Sequence, residues 1–238
     1  MTSNDAPMKI AVENQNMVKI LEFGTILTKG AEAYLLQGQW FGKPALMKYR
    51  IPKQYRHPVI DEQIRQERTL SEARALITLK RALVPVPLLY DVNKRHCYLL
   101  MEYLEGTTLK EQLSSLTDNQ IQQAFEHTGK YLARIHKAQY IHGDLTTSNI
   151  IRSPTGDISF IDFGLYYNSN SEEDRAIDLH LFKRVLTSSH GKHFDTSYSS
   201  FIRGYLYEFP EQGEKIVARI QAIELRGRYI AKEKRKKN

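Results

Sequence analysis

The sequence predicts an α+β protein in which a small β-rich N-terminal lobe with one long helix precedes a mostly helical C-terminal lobe. Short apolar runs interrupted by glycines occupy residues 21–49 and predict strands joined by turns. From Thr117 onward, apolar residues recur at the spacing of amphipathic helices. The predicted divisions are a flexible leader at 1–17, an N-terminal lobe at 18–104, a C-terminal lobe at 105–225 and a basic tail at 226–238.

Three antiparallel strands are expected in the first lobe, with Gly30 in the first turn and Lys48 near the end of the third strand. Lys48 follows the apolar run Ala-Leu-Met and alternates with buried neighbours, so its ammonium group can point into a cleft. Small residues at Gly30, Ala31 and Ala33 would let backbone N–H groups approach phosphates, although a plain hairpin turn is the alternative.

A long helix is expected over residues 58–81, because apolar residues recur there at helical spacing. Glu67 and Glu72 are the helix carboxylates that could face Lys48. We favour Glu72, which directly precedes the densest apolar part of the helix, over the alternative that Glu72 is an exposed helix charge. The predicted apolar stripe comprises Ile64, Leu70, Ala73, Leu76, Ile77 and Leu79.

Two further strands precede a polar linker at Gly106, where backbone groups near Glu102 and Leu104 would be free to pair with the edge of an adenine. Beyond the linker, Thr117 and Gln120 form a capping box that opens a helix. The remaining elements are that helix to about residue 138, a short hairpin at 149–162, and helices over 172–188, 198–209 and 211–236.

The stretch at 141–149 reads I-H-G-D-L-T-T-S-N, and Asp162-Phe163-Gly164 follows it after a short β-rich segment. This order and spacing are typical of kinase-type phosphoryl transfer. The triphosphate of ATP needs a divalent metal held by oxygen ligands, which Asn149 and Asp162 can supply. Asp144 can accept a hydroxyl proton or orient a water molecule. The alternative, turn residues that match by chance, would have to produce both motifs in the right order.

Charge and cysteine content restrict the class of protein further. The net charge is +7, and the segment from Arg226 to Lys237 holds seven basic residues and one glutamate, so it carries most of the excess. Such a tail suits an anionic partner such as RNA, with a solvated helix end or an import signal as alternatives. Cys97 is the only cysteine, which suggests a reducing compartment, and its apolar surroundings indicate a buried thiol. No apolar run is long enough for a membrane span, so we expect no membrane contact.

With these residues in view, the chain resembles the small atypical kinases of the KEOPS complex, the PRPK family, within the protein kinase fold. The stretches that carry the resemblance cover nearly the whole chain. They are K-G-A-E-A at 29–33, K-x-Y-R-H-P-x-x-D at 53–61, H-G-D-L-T-T-S-N-I at 142–150, D-R-A-x-D-L at 174–179 and R-G-R at 226–228.

The resemblance implies a role for each matching residue. Lys48 would pair with the α- and β-phosphates of ATP and with Glu72, while Gly30 and Glu32 would belong to the phosphate-covering loop. Glu102 and Leu104 would contact adenine. Asp144 would be the base, Asn149 and Asp162 would hold Mg²⁺, and Asp178 would anchor the catalytic loop.

The same resemblance implies a setting. KEOPS makes the threonylcarbamoyl modification of tRNA, and a family member there is expected to act as an ATPase that supports the modifying subunit. Expected partners are the modifying subunit of the Kae/OSGEP type, a small subunit of the Cgi type and tRNA bound through the basic tail. We expect a cytoplasmic and nuclear location.

Two departures from ordinary protein kinases restrict the expected reaction. Gly143 replaces the arginine of H-R-D, so no guanidinium is present there to pair with a phosphorylated loop. Only residues 168–173 separate the segment after Gly164 from the next helix, and no A-P-E motif occurs. These departures favour an ATPase over a free-standing serine/threonine kinase. The sequence also leaves open a small-molecule phosphotransferase and a catalytically silent scaffold.

Overall fold

The structure is a computed structural model that describes the backbone of residues 23–236 and the side chains of residues 23–226. The predicted leader at 1–17 lies outside the described residues, as do the side chains of the basic tail from residue 227 onward. The described chain forms two compact units. One comprises the described residues up to Ile77 together with Pro87–Tyr103, and the other comprises Thr78–Val86 together with the described residues from Leu104.

The first unit is built on a five-stranded antiparallel sheet in the order β1-β2-β3-β5-β4. Its core cluster consists of four apolar side chains without rings and one tyrosine. The strands are β1 (Gly24–Lys29), β2 (Ala33–Trp40), β3 (Lys43–Arg50), β4 (Leu89–Asn93) and β5 (Tyr98–Glu102). The cluster comprises Leu36, Ala45, Met47, Tyr49 and Leu100.

Helix α1 (Pro58–Arg81) begins and ends where the sequence predicts. Leu76 and Leu79 are buried as expected, but the prediction that Ile77 belongs to the apolar stripe is wrong, since Ile77 is 44% exposed. Consecutive helix residues lie about 100° apart, so Ile77 points away from the face that Leu76 shares with Leu79. Cys97 is buried, as expected, and burial raises the pKa of its thiol.

The second unit is mostly helical. Its helices are α2 (Leu109–Gln112), α3 (Asp118–Lys137), α4 (Glu172–Ser189), α5 (Phe194–Glu208) and α6 (Pro210–Lys236). Short strands form two small sheets, in the orders β6-β8-β9 and β10-β7. They are β6 (Thr107–Thr108), β7 (Tyr140–Ile141), β8 (Ile150–Arg152), β9 (Ile158–Phe160) and β10 (Tyr167–Asn168).

A local sequence signal accounts for the start of helix α3. The predicted capping box of α3 is confirmed, because the Thr117 side chain accepts from the backbone N–H of Gln120 and the Gln120 side chain accepts from that of Thr117. Helix α6 continues through most of the basic tail, to Lys236. None of the helices in the described part of the chain is long and apolar enough to cross a membrane.

Helices α3 and α5 cross at glycines, and this close approach sets a requirement on the sequence. A Cβ atom at Gly129 would lie 1.9 Å from the carbonyl oxygen of Phe201, and one at Gly204 would lie 1.9 Å from that of Glu126. Both neighbours are helix backbone, which cannot move without displacing a whole element.

We therefore expect Gly204→Ala to destabilise the protein by about 2–3 kcal/mol, because the added methyl group forces the helices apart. Helix propensity alone predicts the opposite sign, a gain of up to about 1 kcal/mol. Urea unfolding of the variant beside Gly191→Ala, where a Cβ would meet no atom within 4 Å, measures the difference. Equal midpoints for the two variants would contradict the packing argument.

Candidate active site

The first unit holds the predicted lysine–glutamate pair. Lys48 lies on β3, and its Nζ donates to Oε1 of Glu72 on α1 at 2.7 Å. Both side chains are largely buried, at 11% and 3% exposed. Of the two carboxylates that the sequence offered, Lys48 therefore pairs with Glu72. Glu67 instead accepts from Gln63 on the helix surface.

The loop that carries Asp144 is held by one buried carboxylate in the second unit. Asp178 on α4 accepts from the backbone N–H of His142 through Oδ2 at 2.9 Å and from that of Gly143 through Oδ1 at 3.0 Å. The predicted anchoring role of Asp178 is confirmed by these two bonds. Hydrogen bonds to consecutive backbone N–H groups fix the peptide orientation directly before Asp144.

A buried hydrogen-bonded series extends behind Asp178. His136 Nε2 lies 3.2 Å from Oδ2 of Asp178, and His136 Nδ1 lies 2.7 Å from the Tyr205 hydroxyl. Burial lowers the pKa of His136 below its usual value, so the imidazole is neutral at pH 7. Burial by itself would raise the pKa of Asp178, but the hydrogen bonds that its carboxylate accepts from His136 and from the backbone N–H of His142 outweigh burial and lower that pKa. Asp178 therefore stays ionised while fully buried.

Asp144, Asn149 and Asp162 all lie in the second unit. Asn149 Nδ2 donates to the carbonyl oxygen of Asp144 at 2.8 Å, and the carboxylate Oδ2 of Asp144 is 3.4 Å away. The backbone N–H of Ile161 donates to the carbonyl of Asn149 at 2.9 Å, which places residue 162 beside the end of this loop. Thr147 lies between Asp144 and Asn149 in the sequence, and its Oγ1 forms a hydrogen bond with Nε2 of His190 at 2.9 Å.

The backbone at Asp162 and Gly143 is in the left-handed region. Asp162 has φ +61°, and its Oδ1 accepts from the backbone N–H of Gly164 at 3.2 Å. The following Phe163 is fully buried, with its ring 4.9 Å from that of His142. Gly143 has φ +77°, and a Cβ there would lie 2.6 Å from the carbonyl oxygen of Leu165. Glycine is therefore required at position 143 by both conformation and space.

The other predicted nucleotide-binding residues lie in or beside the sheet of the first unit, except Leu104. Gly30 N donates to the carbonyl of Ala33 in the turn between β1 and β2. Glu32 is in the same turn, and its carboxylate accepts from Arg68 at 2.5 Å. Glu102 ends β5, and its Oε2 accepts from the backbone N–H of Leu88 at 3.0 Å. Leu104 directly follows Tyr103, the last residue of the first unit, and is assigned to the second unit.

The site residues predicted from the sequence do not include Arg50, His136 or Tyr205. Arg50 Nη2 donates to Oε2 of Glu72 at 2.5 Å, so Glu72 bonds two cations at once. A signal for Arg50 was present, because residues two apart on a strand share a face and Arg50 follows Lys48 by two. His136 and Tyr205 gave no such signal, since their partners lie 42 and 69 residues away along the chain.

The donor set suits magnesium. Asn149 and Asp162 offer a carboxamide and a carboxylate, the hard oxygen ligands that Mg²⁺ prefers. Because Nδ2 of Asn149 donates to Asp144, the carboxamide oxygen Oδ1 of Asn149 is the atom that could bind a metal ion. Among the described residues, no group of three or more His, Cys, Asp and Glu is arranged to hold a metal ion. Two protein oxygens fit a Mg²⁺ ion whose other ligands are phosphate and water, the usual arrangement in ATP sites.

Comparison with known proteins gives consistent matches. A model of the protein kinase domain family matches residues 45–190. The chain is 38% identical over 211 residues to the KEOPS complex subunit Bud32 of Pyrococcus abyssi, covering 86% of this chain and 96% of that protein. It is 32% identical over 212 residues to the EKC/KEOPS complex subunit Tp53rkb of Mus musculus, covering 85% and 86%.

A third match is to a longer protein. The chain is 40% identical over 208 residues to a probable bifunctional tRNA threonylcarbamoyladenosine biosynthesis protein of Methanothermobacter thermautotrophicus. The match covers 86% of this chain and 36% of that protein.

The buried His136 makes stability depend on pH in a defined direction. Its pKa is lowered on folding from an ordinary value of 6.5, so the unfolded chain binds this proton more tightly. The contribution of neutral His136 is therefore present above about pH 6.5 and is lost as the pH falls below that value, at up to about 1.4 kcal/mol per pH unit. We expect His136→Gln to flatten this part of the curve of unfolding free energy against pH, measured by urea unfolding between pH 7.5 and 5.

The matched control is His127→Gln, because His127 is an exposed histidine on the same helix. This variant should keep the slope of the unsubstituted protein. If His136→Gln keeps that slope as well, His136 does not contribute to the slope.

Proposed function

We propose that this chain, which belongs to the protein kinase domain family and within it to the Bud32 subunits of KEOPS complexes, is an ATPase of the kinase type that supports threonylcarbamoyladenosine synthesis on tRNA. The observation that carries the proposal is the Asp178-anchored loop with Asp144 and Asn149 hydrogen-bonded to each other. Such a loop is the part of a kinase that positions the accepting oxygen.

Each predicted residue has a proposed task. Lys48 binds the α- and β-phosphates, and Glu72 limits the positions of its ammonium group. Asn149 and Asp162 hold Mg²⁺, which when bound neutralises charge that develops on the phosphates. Asp144 orients the attacking oxygen and accepts its proton, and the bond from Asn149 keeps the Asp144 backbone in place. Gly30, Glu32, Glu102 and Leu104 are proposed to contribute to nucleotide binding.

Water or a small acceptor fits this site better than a docked peptide. The segment that ordinarily holds a peptide is reduced to a few residues between β10 and α4, at 169–171. Gly143 offers no guanidinium for a phosphorylated loop. We also propose serine/threonine kinase activity for this enzyme. It would be slow on free proteins, and the assay that measures hydrolysis measures it as well.

We further propose that the partners are the modifying subunit of the KEOPS complex, its small Cgi-type subunit and tRNA. Three relatives carry names that support this setting, two as KEOPS subunits and one as a threonylcarbamoyladenosine biosynthesis protein. The proposed location is cytoplasmic and nuclear, where such a complex would meet tRNA.

The catalytic proposal predicts that Asp162→Ala and Asp144→Ala each lower ATP hydrolysis by the reconstituted complex by about 100-fold or more, since the first removes a proposed Mg²⁺ ligand and the second removes the group that orients the attacking oxygen. Asp157→Ala is the matched control, because Asp157 is an exposed aspartate in the turn between β8 and β9. Products from γ-labelled ATP, separated as free phosphate and labelled protein, distinguish hydrolysis from transfer. Unchanged turnover in Asp162→Ala would overturn the proposal.

The proposed tail contact has a separate test. Replacing Lys232, Lys234, Arg235, Lys236 and Lys237 by glutamine should weaken tRNA binding by the complex at low salt. The slope of log K against log salt should become shallower by about 0.7–0.9 for each phosphate that the tail no longer neutralises. Filter binding at several salt concentrations, with all variants of equal length, measures this slope. An unchanged slope would assign the tail another role.

A further inference from the structure

Five charged side chains in the first unit form a series of alternating sign. Lys48 pairs with Oε1 of Glu72 at 2.7 Å, and Arg50 pairs with Oε2 of the same carboxylate at 2.5 Å. Arg50 Nη1 lies 4.0 Å from Oε2 of Glu32, and Arg68 Nη1 donates to that same oxygen at 2.5 Å. We call Lys48, Glu72, Arg50, Glu32 and Arg68 the ionic chain.

Regular backbone geometry brings these side chains together. Lys48 and Arg50 are two apart on β3, so they share a face of the sheet. Arg68 and Glu72 are four apart on α1, so they share a face of the helix. Glu32 is in the turn between β1 and β2, and the backbone N–H of Ile51 donates to its carbonyl at 3.2 Å. The ionic chain therefore joins a turn, a strand and a helix.

We propose that Glu32 and Arg50 are positioning residues that keep Glu72 on Lys48, so that the lysine is ready for ATP phosphates without a phosphorylated loop. The inference rests on the proposed ATPase function. In this inference the primary task of Glu32 is to take part in the ionic chain. Glu32 then affects ATP binding through Glu72 and through the turn that carries Glu32.

The burial of the ionic chain supports the idea that the position of Glu72 depends on Arg50 and Glu32. The side chains of Arg50 and Glu72 are 4% and 3% exposed, so neither charge can be compensated by water. An arginine with only Glu72 as its partner would compete with Lys48 for that carboxylate. Glu32 offers Arg50 a second carboxylate and so balances the competition. Hydrogen bonding to Arg68 lowers the pKa of Glu32, in keeping with an ionised Glu32 at pH 7.

The first test uses Glu32→Gln, because Glu32 is half-exposed and its loss should not prevent folding. We expect the KM for ATP of the reconstituted complex to rise about 5- to 100-fold, since the substitution loosens the position of Lys48. We also expect faster backbone amide exchange over α1 without nucleotide. Glu67→Gln, an exposed change of the same kind on α1, should leave KM and exchange as in the parent protein.

The second test separates the ionic chain from a simple surface pair. The double variant Glu32→Arg with Arg68→Glu restores an opposite-charge pair at the surface but places a second guanidinium, at position 32, against Arg50. The ionic chain predicts no recovery of KM, whereas a pair that only ties the turn to the helix predicts recovery. Arg50→Lys is the accompanying conservative variant. It should retain part of the positioning of Glu72, because lysine keeps the positive charge but lacks the forked geometry of the guanidinium.

The outcomes distinguish the two proposals. If the parent complex hydrolyses ATP and Glu32→Gln changes neither KM nor amide exchange, the positioning inference is wrong and the ATPase proposal stands. Recovery of KM in the double variant also overturns the inference. If the parent complex does not hydrolyse ATP but Glu32→Gln still speeds exchange over α1, the ionic chain holds the helix and the ATPase proposal fails.

Discussion

The buried carboxylate of Asp178 is the constraint on which the candidate catalytic loop depends. An ionised carboxylate in a protein interior is tolerated only when donors satisfy its oxygens. Here the donors are two consecutive backbone N–H groups of the loop itself and the neutral His136. Since the loop supplies those donors, any conformation that moved them away would leave Asp178 charged and unsatisfied. The cost of burying the charge therefore fixes the loop.

Glu72 in the first unit satisfies the same requirement in a different way. Its oxygens are compensated by two cations, Lys48 and Arg50, rather than by neutral donors. Ion pairs of this kind are strong only while both partners are in place, because removing one leaves a buried charge. Each unit thus organises its predicted site residues around one buried acid. Asp178 fixes backbone, whereas Glu72 fixes the position of another side chain.

Much of this arrangement could be predicted from the sequence. The helix at 58–81 follows from periodicity, the capping box at Thr117 from local hydrogen-bonding chemistry, and the pairing of Lys48 with Glu72 from the position of Glu72 directly before the apolar part of the helix. Ile77 did not follow, since the residue composition of a helix does not state the width of its buried face. The contacts of His136 with Asp178 and Tyr205 did not follow either. They join residues distant in sequence, which only the packing of α3, α4 and α5 brings together.

The glycine at position 143 and the path of the short segment after Gly164 depend on each other. Strand β10, in that segment, pairs with β7 directly before the candidate catalytic loop, with Tyr167 opposite Ile141. This pairing brings the carbonyl of Leu165 to where a side chain at position 143 would begin. An arginine at 143 would collide with backbone and would also have to adopt a left-handed conformation. The path of this segment therefore excludes an arginine at position 143, while Asp178 holds the loop through its backbone N–H groups.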